Sequence, residues 1–454
     1  MNQARKGIGI MNNVRDFGAA GDGVTKDTAA VQKAIDAGGM VYFPPGTYLC
    51  GTLYLKSHGG LHLDTGAVLL ASPDKEDYNA DDFCPQNYFG ALDHASGAHF
   101  ITAVEQNDVV IRGGGVIDGN RMAFYNEIWK EHPDDFKLTE WRPGQMVYFC
   151  ECENVRISDV ELNNSPYWSC FLHGCERVTI RGVRIWNDYH TPNGDGIDID
   201  CCRFVTVSDC IIHSGDDCIT LRGSDGKLKR KKPCEFITVT NCIVETRCNA
   251  FRVGVGNGLI RNCTVSNVII SEAGAGIHVC SRYSPNSEGV TIENMLFSDI
   301  LMYAKRPVAV NSDVRGVNDK AIKPIRNIVF RNLNGTATHS FFVESNHRGD
   351  IRDIVFSGIR MEFSGGEEVK EGPGVLYGEF AAVSAPAAFH LANAEKITFR
   401  DVKIEWNTDS PNWKYGLIAE NSGILDFSES CDFGKPNLIS DGKSKSVSSS
   451  SLTE

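Results

Sequence analysis

The phrase C-E-N-V-R-I-S-D-V-E-L stands at residues 152–162 and then keeps returning along the chain. It recurs as C-E-R-V-T-I-R-G-V-R-I from Cys175, as C-R-F-V-T-V-S-D-C-I-I from Cys202 and as C-E-F-I-T-V-T-N-C-I-V from Cys234. Each copy holds two short segments in which apolar and polar residues alternate, separated by a polar or glycine pair such as Ser158-Asp159. Alternating Val, Ile, Thr and Phe predict that each copy contains two β-strands.

The spacing of the copies predicts how these strands are arranged. The strong copies begin 23, 27 and 32 residues apart, and no helical pattern that could link βαβ units lies between them. A parallel β-helix explains this, because each repeat forms one coil and equivalent residues of adjacent coils stack about 4.8 Å apart. Weaker copies begin at Asn107, Glu288, Arg326, Arg352 and Glu395. We therefore predict an all-β, single-domain solenoid whose inner face consists of aliphatic ladders.

The two ends of the chain differ from the repeat. Residues 27–37 carry apolar side chains at helical spacing, with Asp27 or Thr28 as the N-cap, so a helix should cap the open end of the solenoid. Residues 38–51 are typical of a strand, a turn and a second strand. The predicted organisation is an N-terminal extension (1–13), one β-helix domain (14–440) and a Ser- and Lys-rich, disordered tail (441–454).

Charge and hydropathy restrict the partners and the location. The net charge of −13 disfavours a nucleic-acid binder, since neutralising phosphates requires clustered Lys and Arg. No apolar run approaches the roughly 18 residues of a membrane span, so no membrane partner is expected. The apolar patch among the first residues is too short for a signal-peptide core. This predicts a cytoplasmic protein, or a secreted or periplasmic one whose signal has been removed. The basic run at 227–232 is either a solvated loop or a rim that attracts an acidic polysaccharide.

The cysteines follow the repeat. Two positions of the repeat are shared by several of the 16 cysteines, first Cys152, Cys175, Cys202 and Cys234, then Cys210 and Cys242. Like residues stacked inside a solenoid behave as small apolar groups, so we expect buried free thiols. Disulfides and a zinc site are the alternatives, although the C-x-x-C spacing of zinc knuckles is absent.

The strongest chemical signal is a pair of acidic motifs. N-G-D-G-I-D-I-D occupies residues 193–200, and S-G-D-D-C-I occupies residues 214–219. Asp195 and Asp216 are 21 residues apart, which is close to one coil, so the repeat should bring them about 5 Å apart along the axis. Asp217 adds a third carboxylate to this predicted cluster. We expect Asp198 to support the site and Asp200 to lie outside in solvent.

Clustered carboxylates repel one another, so at least one of their pKa values should rise. A raised pKa suits a general acid, and an ionised neighbour can activate water or attack carbon, as glycosidases require. The alternatives are aspartates that only decorate turns and a calcium site. At the level of function, the alternatives are a polysaccharide lyase and a glycan-binding solenoid without catalysis.

At this point the sequence resembles glycoside hydrolase family 28, the polygalacturonase and rhamnogalacturonan hydrolase family, in a divergent bacterial form. The resemblance runs from about Val14 to Phe433. It rests on the segments R-D-F-G-A-A-G-D-G-V-T-K-D-T-A-A-V-Q-K-A-I at 15–35, R-P-G-Q-M-V-Y-F-C-E-C-E-N-V at 142–155, N-S-P-Y-W at 164–168, N-G-D-G-I-D at 193–198 and G-D-D-C-I at 215–219. The resemblance implies a right-handed β-helix and inverting hydrolysis of a pectin-type glycan without a cofactor or a metal. It also implies Asp216 as the general acid, Asp195 and Asp217 as activators of water, and Asn193 as a supporting residue.

Two family motifs are altered in this chain. The family's G-H-G motif falls at residues 247–254, where no histidine is present and Asn249 or a neighbour takes its place. Its R-I-K motif falls at residues 276–280, where His278 replaces the arginine and Cys280 the lysine. The family's two cations grip a galacturonate carboxylate, and their loss removes charge-assisted bonds. This favours rhamnogalacturonan or a short pectin-derived oligosaccharide over plain polygalacturonate.

Several neighbouring residues are further candidates for substrate contact. Arg252 and Arg282 follow the acidic motifs and could partly supply the missing positive charge. Arg222, which could face the cleft, and His278 are the other candidates. Tyr167 and Trp168 could stack on sugar rings, but we favour packing within the protein. The irregular insertion at 121–142 interrupts the repeat, and we expect it to form one wall of the cleft and to favour exo action.

Overall fold

The computed structural model describes residues 11–87, 95–283, 287–313, 323–366, 386–440 and 446–447. Strands dominate these residues, as the alternating pattern predicts. The one α-helix among them is α1 (Thr28–Asp36). Short 3-10 helices lie at Val14–Phe17, Lys75–Asp77, Arg121–Ala123 and Asp225–Lys227.

The strands follow one another along the chain with short connections. The first eighteen are β1 (Asn12–Asn13), β2 (Asp22–Lys26), β3 (Met40–Phe43), β4 (Gly46–Cys50), β5 (Leu53–Tyr54), β6 (Gly59–Leu63), β7 (Ala67–Ala71), β8 (Ile101–Val104), β9 (Val109–Gly113), β10 (Val116–Asp118), β11 (Tyr125–Trp129), β12 (His132–Leu138), β13 (Val147–Cys150), β14 (Glu153–Ser158), β15 (Glu161–Asn163), β16 (Cys170–His173), β17 (Glu176–Arg181) and β18 (Arg184–Trp186). The others described are β19 (Ile197–Asp200), β20 (Arg203–Ser208), β21 (Ile211–Ser214), β22 (Ile219–Gly223), β23 (Cys234–Thr246), β24 (Asn249–Gly256), β25 (Leu259–Arg282), β26 (Thr291–Asp313), β27 (Ile325–Ala337), β28 (Phe341–Glu344), β29 (Ile351–Phe363), β30 (Ala387–Ala392), β31 (Glu395–Trp406), β32 (Tyr415–Glu420), β33 (Leu425–Phe427), β34 (Asn437–Ser440) and β35 (Ser446–Val447).

The chain divides into two compact units. The first contains residues 1–198, 202–215 and 227–230, and the second contains residues 199–201, 216–226 and 231–454. The single domain expected over residues 14–440 stays a prediction.

In the first unit, equivalent residues of successive copies pair in register, as a β-helix requires. Strand β14 pairs in parallel with β17, and β17 with β20, so that Val155, Val178 and Val205 form one ladder. All three side chains are buried. The repeat that defines the sequence is therefore the repeat of the fold, with its aliphatic residues inside.

The second unit continues the same pattern through a coil that the sequence reading missed. Strand β23 pairs with β25 and β25 with β26, which places Ile237, Cys263 and Met295 in one buried ladder. The copy at Leu259–Ile270 lies between the copies that begin at Cys234 and Glu288, which are two coils apart. Cysteine stands where most copies have an aliphatic residue, and this masked the phrase.

The corners of the coils use left-handed backbone. Asn262, Asn294 and Asn327 occupy one corner with φ of 56°, 57° and 56°. Their side chains form a ladder, in which Asn294 donates to Asn262 at 3.0 Å and Asn327 donates to Asn294 at 2.6 Å. A second corner follows the same rule at the polar or glycine pairs seen in the sequence, with φ of 62° at Asp159 and 63° at Gly182. Asn, Asp and Gly accept this conformation most readily, which explains their recurrence.

Helix α1 lies at the N-terminal end, as predicted. Its buried residues Val31, Ala34 and Ile35 form an apolar face, and the helix contacts β3 and β5. Asp27 is at the N-cap position, but its side chain does not cap the helix. It accepts hydrogen bonds from the backbone N–H groups of Ala20 and Gly21 instead, at 2.7 and 2.9 Å. The predicted strand–turn–strand at residues 38–51 is confirmed as β3 and β4.

The cysteines are free thiols, as predicted. None of the 16, all of which lie in the described residues, forms a disulfide bond, and every one except the half-buried Cys431 is buried. In the first unit, the backbone N–H of Cys175 donates to the sulfur of Cys202 at 3.2 Å, so the repeat position forms a thiol ladder. Burial raises the pKa of Cys170 to about 12, which keeps the thiol protonated and unreactive at neutral pH.

The insertion at 121–142 is more regular than expected. Strands β11 and β12 form an antiparallel hairpin in which Tyr125 faces Leu138. The backbone N–H of Phe136 donates to the carbonyl of His190 at 2.7 Å, so the hairpin contacts the loop that precedes the first acidic motif. Its predicted effect on exo action stays a prediction.

The predicted tail at 441–454 lies outside the described residues apart from β35, which pairs with Leu425 and Asp426. Most of the N-terminal extension also lies outside them, although β1 pairs with Val41 and Tyr42 of β3. Over the described ranges, no helix offers an apolar stretch long enough to cross a bilayer.

The corner rule makes a test possible at Asn294. Replacement by Ala removes the hydrogen bonds of the side-chain ladder. It also leaves a residue with a Cβ but no polar group in left-handed backbone, and this conformation costs about 1–2 kcal/mol. Replacement by Gly removes the same hydrogen bonds but accepts the conformation. We expect Asn294→Gly to be more stable than Asn294→Ala by about 1 kcal/mol in urea unfolding.

Thr264, an ordinary strand residue of β25, is the control. There the order should reverse, because Gly is worse than Ala in extended backbone. Equal stability of the two Asn294 variants would show that the corner does not select its residue by conformation.

Candidate active site

Asp216 and Asp217 lie in the second unit immediately before strand β22. The side-chain amide of Asn249, the first residue of β24, donates to Oδ1 of Asp217 at 2.5 Å. The hydroxyl of Thr246 donates to the backbone carbonyl of Asp216 and so fixes the peptide between the two acids. Asp217 is 8% exposed, whereas Asp216 is only partly buried and can be reached from solvent. The pair therefore combines a held carboxylate with an accessible one.

The two acids differ in their electrostatic surroundings. Burial, followed by the negative charge of Asp217, raises the pKa of Asp216 to about 7. A hydrogen bond from Cys248 and the charges of Arg247 and Arg252 act in the opposite direction but are outweighed. A carboxyl group that is still partly protonated near neutral pH, and that solvent can reach, is suited to donate a proton. The predicted rise of one pKa is thus found at Asp216.

Arg252 is a buried cation beside these acids. Arg252 is 3% exposed. Because β24 pairs with β22 and with β25, Arg252 lies next to Thr220 on one side and next to His278 on the other. Its guanidinium carbon stands 4.5 Å from the centre of the Tyr283 ring. Burial is the largest effect on the pKa of Arg252 and lowers it, but the charges of Asp217 and, to a smaller extent, of Tyr283, Cys280 and Cys248 together outweigh burial and leave the pKa raised.

The hydrogen-bonding capacity of Arg252 is only partly used. Within the part of the chain that the structure describes, neither Nε nor Nη2 of Arg252 has a hydrogen-bond partner. A buried donor without a partner costs about 1–3 kcal/mol, and more when it is charged. An anionic group of a ligand would satisfy these donors, and substrate contact by Arg252 stays a prediction.

His278 is placed beside Arg252 but in a different state. It is fully buried, and its Nε2 lies 2.9 Å from Oδ1 of Asn311. Burial, then the charges of Arg252 and Arg306, lower its pKa well below the ordinary value. His278 is therefore neutral at pH 7 and cannot replace the positive charge of the arginine that the family motif places here.

Arg282 and Arg222 are each occupied by an acidic partner. Arg282 donates through Nε and Nη2 to Asp313 at 2.9 and 2.6 Å, and both side chains are 1% exposed. Nε of Arg222 lies 4.0 Å from Asp200. The expectation that Asp200 lies in solvent is wrong, because its side chain is fully buried and also accepts from the backbone of Ser224. Substrate contact by the two arginines stays a prediction.

Asn193 and Asp195 belong to the first unit. Asn193 has φ of 55°, and its side-chain oxygen accepts from Nη2 of Arg142 at 2.8 Å. Nη1 of the same arginine donates to the carbonyl of Pro192 at 2.8 Å and to the hydroxyl of Tyr125 at 2.6 Å. Asp195 is 5% exposed. Arg142 thus ties the insertion to the loop that carries Asn193, while the meeting of Asp195 with Asp216 stays a prediction.

The aromatic pair Tyr167 and Trp168 and the basic run at 227–232 have contacts within the protein. Tyr167 and Trp168 are buried and stack on each other with ring centres 4.9 Å apart, so they pack within the protein. The cations of the basic run have partners: Lys227 donates to the carbonyl of Asn87, Lys229 pairs with Glu105, Arg230 with Glu151 and Lys231 with Asp225. This pairing favours a solvated loop over an attractive rim.

Three side chains around Asp216 could hold a metal ion. Ligand atoms of Asp216, Asp217 and Cys248 lie within 4.8 Å of one another, the one such group among the described residues. Two carboxylates and a thiol suit a divalent cation, but burial raises the pKa of Cys248 well above its usual range, so its deprotonation would be costly. The arrangement fits proton transfer better than metal binding.

The sequence reading missed three residues that contact predicted site residues within their own unit. Cys248 contacts Asp216, Tyr283 lies under Arg252, and Arg142 holds Asn193. Cys248 stands next to Asn249 in the altered motif, and that adjacency was an available signal. The roles of Tyr283 and Arg142 depend on side-chain direction, which the repeat does not encode.

Comparison with known proteins agrees with this picture. The family profile described as glycosyl hydrolases family 28 matches residues 70–372. A second profile, rhamnogalacturonase A/epimerase, pectate lyase-like, matches residues 11–57. A probable polygalacturonase from Vitis vinifera is 34% identical over 218 residues, which are 46% of this chain and 43% of the relative. The chain thus spans less than half the length of that relative.

Two solved structures share the fold. The family 28 exopolygalacturonase of Yersinia enterocolitica superposes with a TM-score of 0.68 at 18% identity, over 96% of this chain and 79% of that one. A hyperthermoactive exopolygalacturonase from Thermotoga maritima gives 0.66 at 22% identity, over 87% and 91%. The all-β, right-handed parallel β-helix predicted from the sequence is confirmed.

The raised pKa of Asp216 gives stability a specific pH dependence. The pKa rises from 3.8 to about 7, so the folded state binds this proton more tightly than the unfolded chain. The carboxyl group favours folding most below about pH 4, and this contribution is lost as the pH rises to about 7. Asn cannot ionise, so we expect Asp216→Asn to gain stability relative to the wild type between these pH values, measured by urea unfolding.

Asp22 is a control of opposite sign. Hydrogen bonds from the backbone of Thr25 and Val24 lower its pKa below the ordinary 3.8, so Asp22→Asn should lose stability relative to the wild type as the pH rises towards about 4, and should show little further change between about pH 5 and 7. A constant difference between wild type and Asp216→Asn would contradict the proton assignment.

Proposed function

The chain belongs to glycosyl hydrolase family 28, and from this premise we propose that it hydrolyses glycosidic bonds of a pectin-type polysaccharide or oligosaccharide. The observation that carries the proposal is the asymmetry of the acidic pair. The pKa of Asp216 is raised to about 7, while the neighbouring Asp217 is held by Asn249. One carboxyl group that keeps its proton and one that accepts hydrogen bonds are the two components of acid/base glycoside hydrolysis.

In this mechanism Asp216 is the general acid. It is the more exposed of the pair, and its proton passes to the glycosidic oxygen as the bond to carbon breaks. Thr246 and Cys248, which contact its backbone and side chain, fix the direction of the carboxyl group. Loss of the proton leaves a carboxylate whose charge Arg247 and Arg252 stabilise.

Water is activated by Asp217 and, from the repeat spacing, by Asp195. The ligand atoms of Asp216 and Asp217 lie within 4.8 Å, which is shorter than the gap of about 6.5–9.5 Å that an attacking water needs between an acid and a base. Asp217 is therefore too close to Asp216 to act alone as the base that activates water. An inverting reaction needs the third carboxylate. We propose that Asp195 supplies it, with Asn193 and its Arg142 contact fixing the loop.

The substrate carries a negative charge near the bond that breaks. Relatives of this chain bear the name polygalacturonase, and Arg252 is a buried cation beside Asp217 with two unused donor atoms. A uronate carboxylate fits these donors. Asn249 and the neutral His278 supply polar contacts without charge, which fits a pectic chain or fragment in which charged and neutral sugars alternate, as in rhamnogalacturonan.

Removal of the acid tests the proposal directly. Asp216→Asn should lower kcat on pectic oligosaccharides by about 10²–10⁴-fold, because the leaving oxygen loses its proton donor. Circular dichroism and the thermal midpoint should show an intact fold. The same loss is expected for Asp195→Asn, and the product anomer, read by NMR in wild type, should be inverted.

Three results would overturn the proposal. Full activity of Asp216→Asn excludes this residue as the acid. An unsaturated product that absorbs in the ultraviolet, with loss of activity on chelation, indicates a lyase. Tight binding with no turnover of any galacturonan or rhamnogalacturonan fragment indicates a binding protein.

Arg252 provides a test of the substrate charge. Arg252→Gln keeps a polar side chain but removes the charge, so the preference for free acid over methyl-esterified substrate, taken as the ratio of kcat/KM values, should fall about tenfold or more. Lys231→Gln, in the basic run, should leave the ratio unchanged. An unchanged ratio in Arg252→Gln would mean that Arg252 does not bind the carboxylate.

A further inference from the structure

A cavity of about 370 Å³ opens in the first unit, beside helix α1 and strands β5 and β8. Its lining includes Tyr54, Lys56, Asp82, Phe83 and Thr102. None of these residues takes part in the acid/base site or in substrate contacts proposed above. The volume lies near the lower end of the range of about 300–1,000 Å³ that is typical of small-ligand pockets.

An aromatic ring stands exposed in this cavity. Phe83 is 74% exposed and has φ of 55°, and it follows Asp82, which has φ of 49°. Left-handed backbone at a bulky residue costs of order 1–3 kcal/mol, and exposure of the ring forgoes its burial. The ring lies 6.0 Å from that of Tyr54, tilted by 42°, so the two form an open aromatic corner.

The strained segment is firmly held. Asp82 is 3% exposed, and its Oδ2 accepts from the backbone N–H of His99 at 2.6 Å. Its Oδ1 accepts from the hydroxyl of Tyr54 at 3.1 Å, and that hydroxyl accepts in turn from Asn79 at 3.0 Å. The exposed position of Phe83 is thus built by a buried network and does not result from a loose loop.

The cavity also contains an unsatisfied hydroxyl. Thr102 is 1% exposed, and for this residue the described structure provides no hydrogen-bond partner to Oγ1. Lys56 and Asp36, both about half exposed, are 3.8 Å apart at the same cavity and can each bind a further polar group. Burial raises the pKa of Asp82 to about 8, so its carboxyl group is largely uncharged at neutral pH.

These features define the chemistry of a ligand. An open aromatic face binds the apolar face of a sugar ring, and the hydroxyl of Thr102 with the polar groups at Lys56 and Asp36 can bind its hydroxyl groups. The cation of the described lining, Lys56, is half exposed and lies 3.8 Å from the carboxylate of Asp36, so a neutral sugar suits the site better than a carboxylate does.

We propose that this cavity is a second carbohydrate-binding site that takes a neutral glycosyl residue, with the ring stacked on Phe83. The proposal rests on the proposed function only for the choice of a pectic glycan as the polymer. The site holds the polymer through its neutral sugars, while the acidic pair with Arg252 acts on its charged sugars.

Binding to a full-length Asp216→Asn protein separates this site from catalysis. A neutral galactan oligosaccharide and an oligogalacturonate of equal length are titrated by calorimetry. We expect the additional change Phe83→Ala to weaken binding of the galactan oligosaccharide about tenfold, as loss of one aromatic contact implies. Oligogalacturonate binding should not change.

Phe204→Ala is the matched control, because Phe204 is also exposed (48%), has φ of 57°, and does not line the cavity. It should leave both affinities unchanged. With Asp216 intact, Phe83→Ala should cleave short charged fragments at the wild-type kcat, and circular dichroism should show an unchanged fold.

The outcomes distinguish the two proposals. If the galactan oligosaccharide does not bind, or binds Phe83→Ala as tightly as the parent, the second site is excluded whatever the activity. If Phe83 affects only the oligogalacturonate, the neutral ligand is wrong. If Phe83-dependent binding is found and no pectic fragment is cleaved, the proposed hydrolysis fails while the second site stands.

Discussion

The structure depends on a backbone constraint at the corners of its coils. Each coil must turn without losing the register of the parallel ladders, and it does so through single residues in left-handed conformation, such as Asn262, Asn294 and Asn327. Because this conformation recurs at the same position of successive coils, the strands between the corners keep their pairing. The side-chain ladder of the asparagines then adds hydrogen bonds to a geometry that the backbone already requires.

A constant register turns sequence position into spatial position. Thr220, Arg252 and His278 stand in successive strands of one sheet and meet as a row within the second unit. Such a row can hold a buried charge beside the acids only if other interactions offset the cost of removing that charge from water. Arg282 obtains this compensation from Asp313, whereas Arg252 relies on the Tyr283 ring and on the charge of Asp217. The difference leaves Nε and Nη2 of Arg252 available to a ligand, whereas the same atoms of Arg282 already donate to Asp313.

The sequence was sufficient where the repeat decides the outcome. Ladders such as Val155–Val178–Val205, the thiols and helix α1 follow from periodicity alone. It was insufficient where a side chain chooses between two directions. Asp200 could point outward or inward in an alternating strand, and in the interior it accepts a hydrogen bond from the backbone N–H of Ser224 and lies 4.0 Å from Nε of Arg222. Asp27 could cap its helix, but the N–H groups of Ala20 and Gly21 compete for it successfully.

The altered family motifs leave one charge to serve two purposes. His278 is neutral, so among the three altered or neighbouring positions Asn249, Arg252 and His278 only Arg252 carries a positive charge. The same charge lowers the pKa of Asp216 against the effects of burial and Asp217. Under the proposed function, a bound uronate carboxylate would neutralise Arg252 and remove that lowering. The acid would then hold its proton more firmly when a charged substrate is present than when the site is empty, so that substrate recognition itself prepares the proton donor.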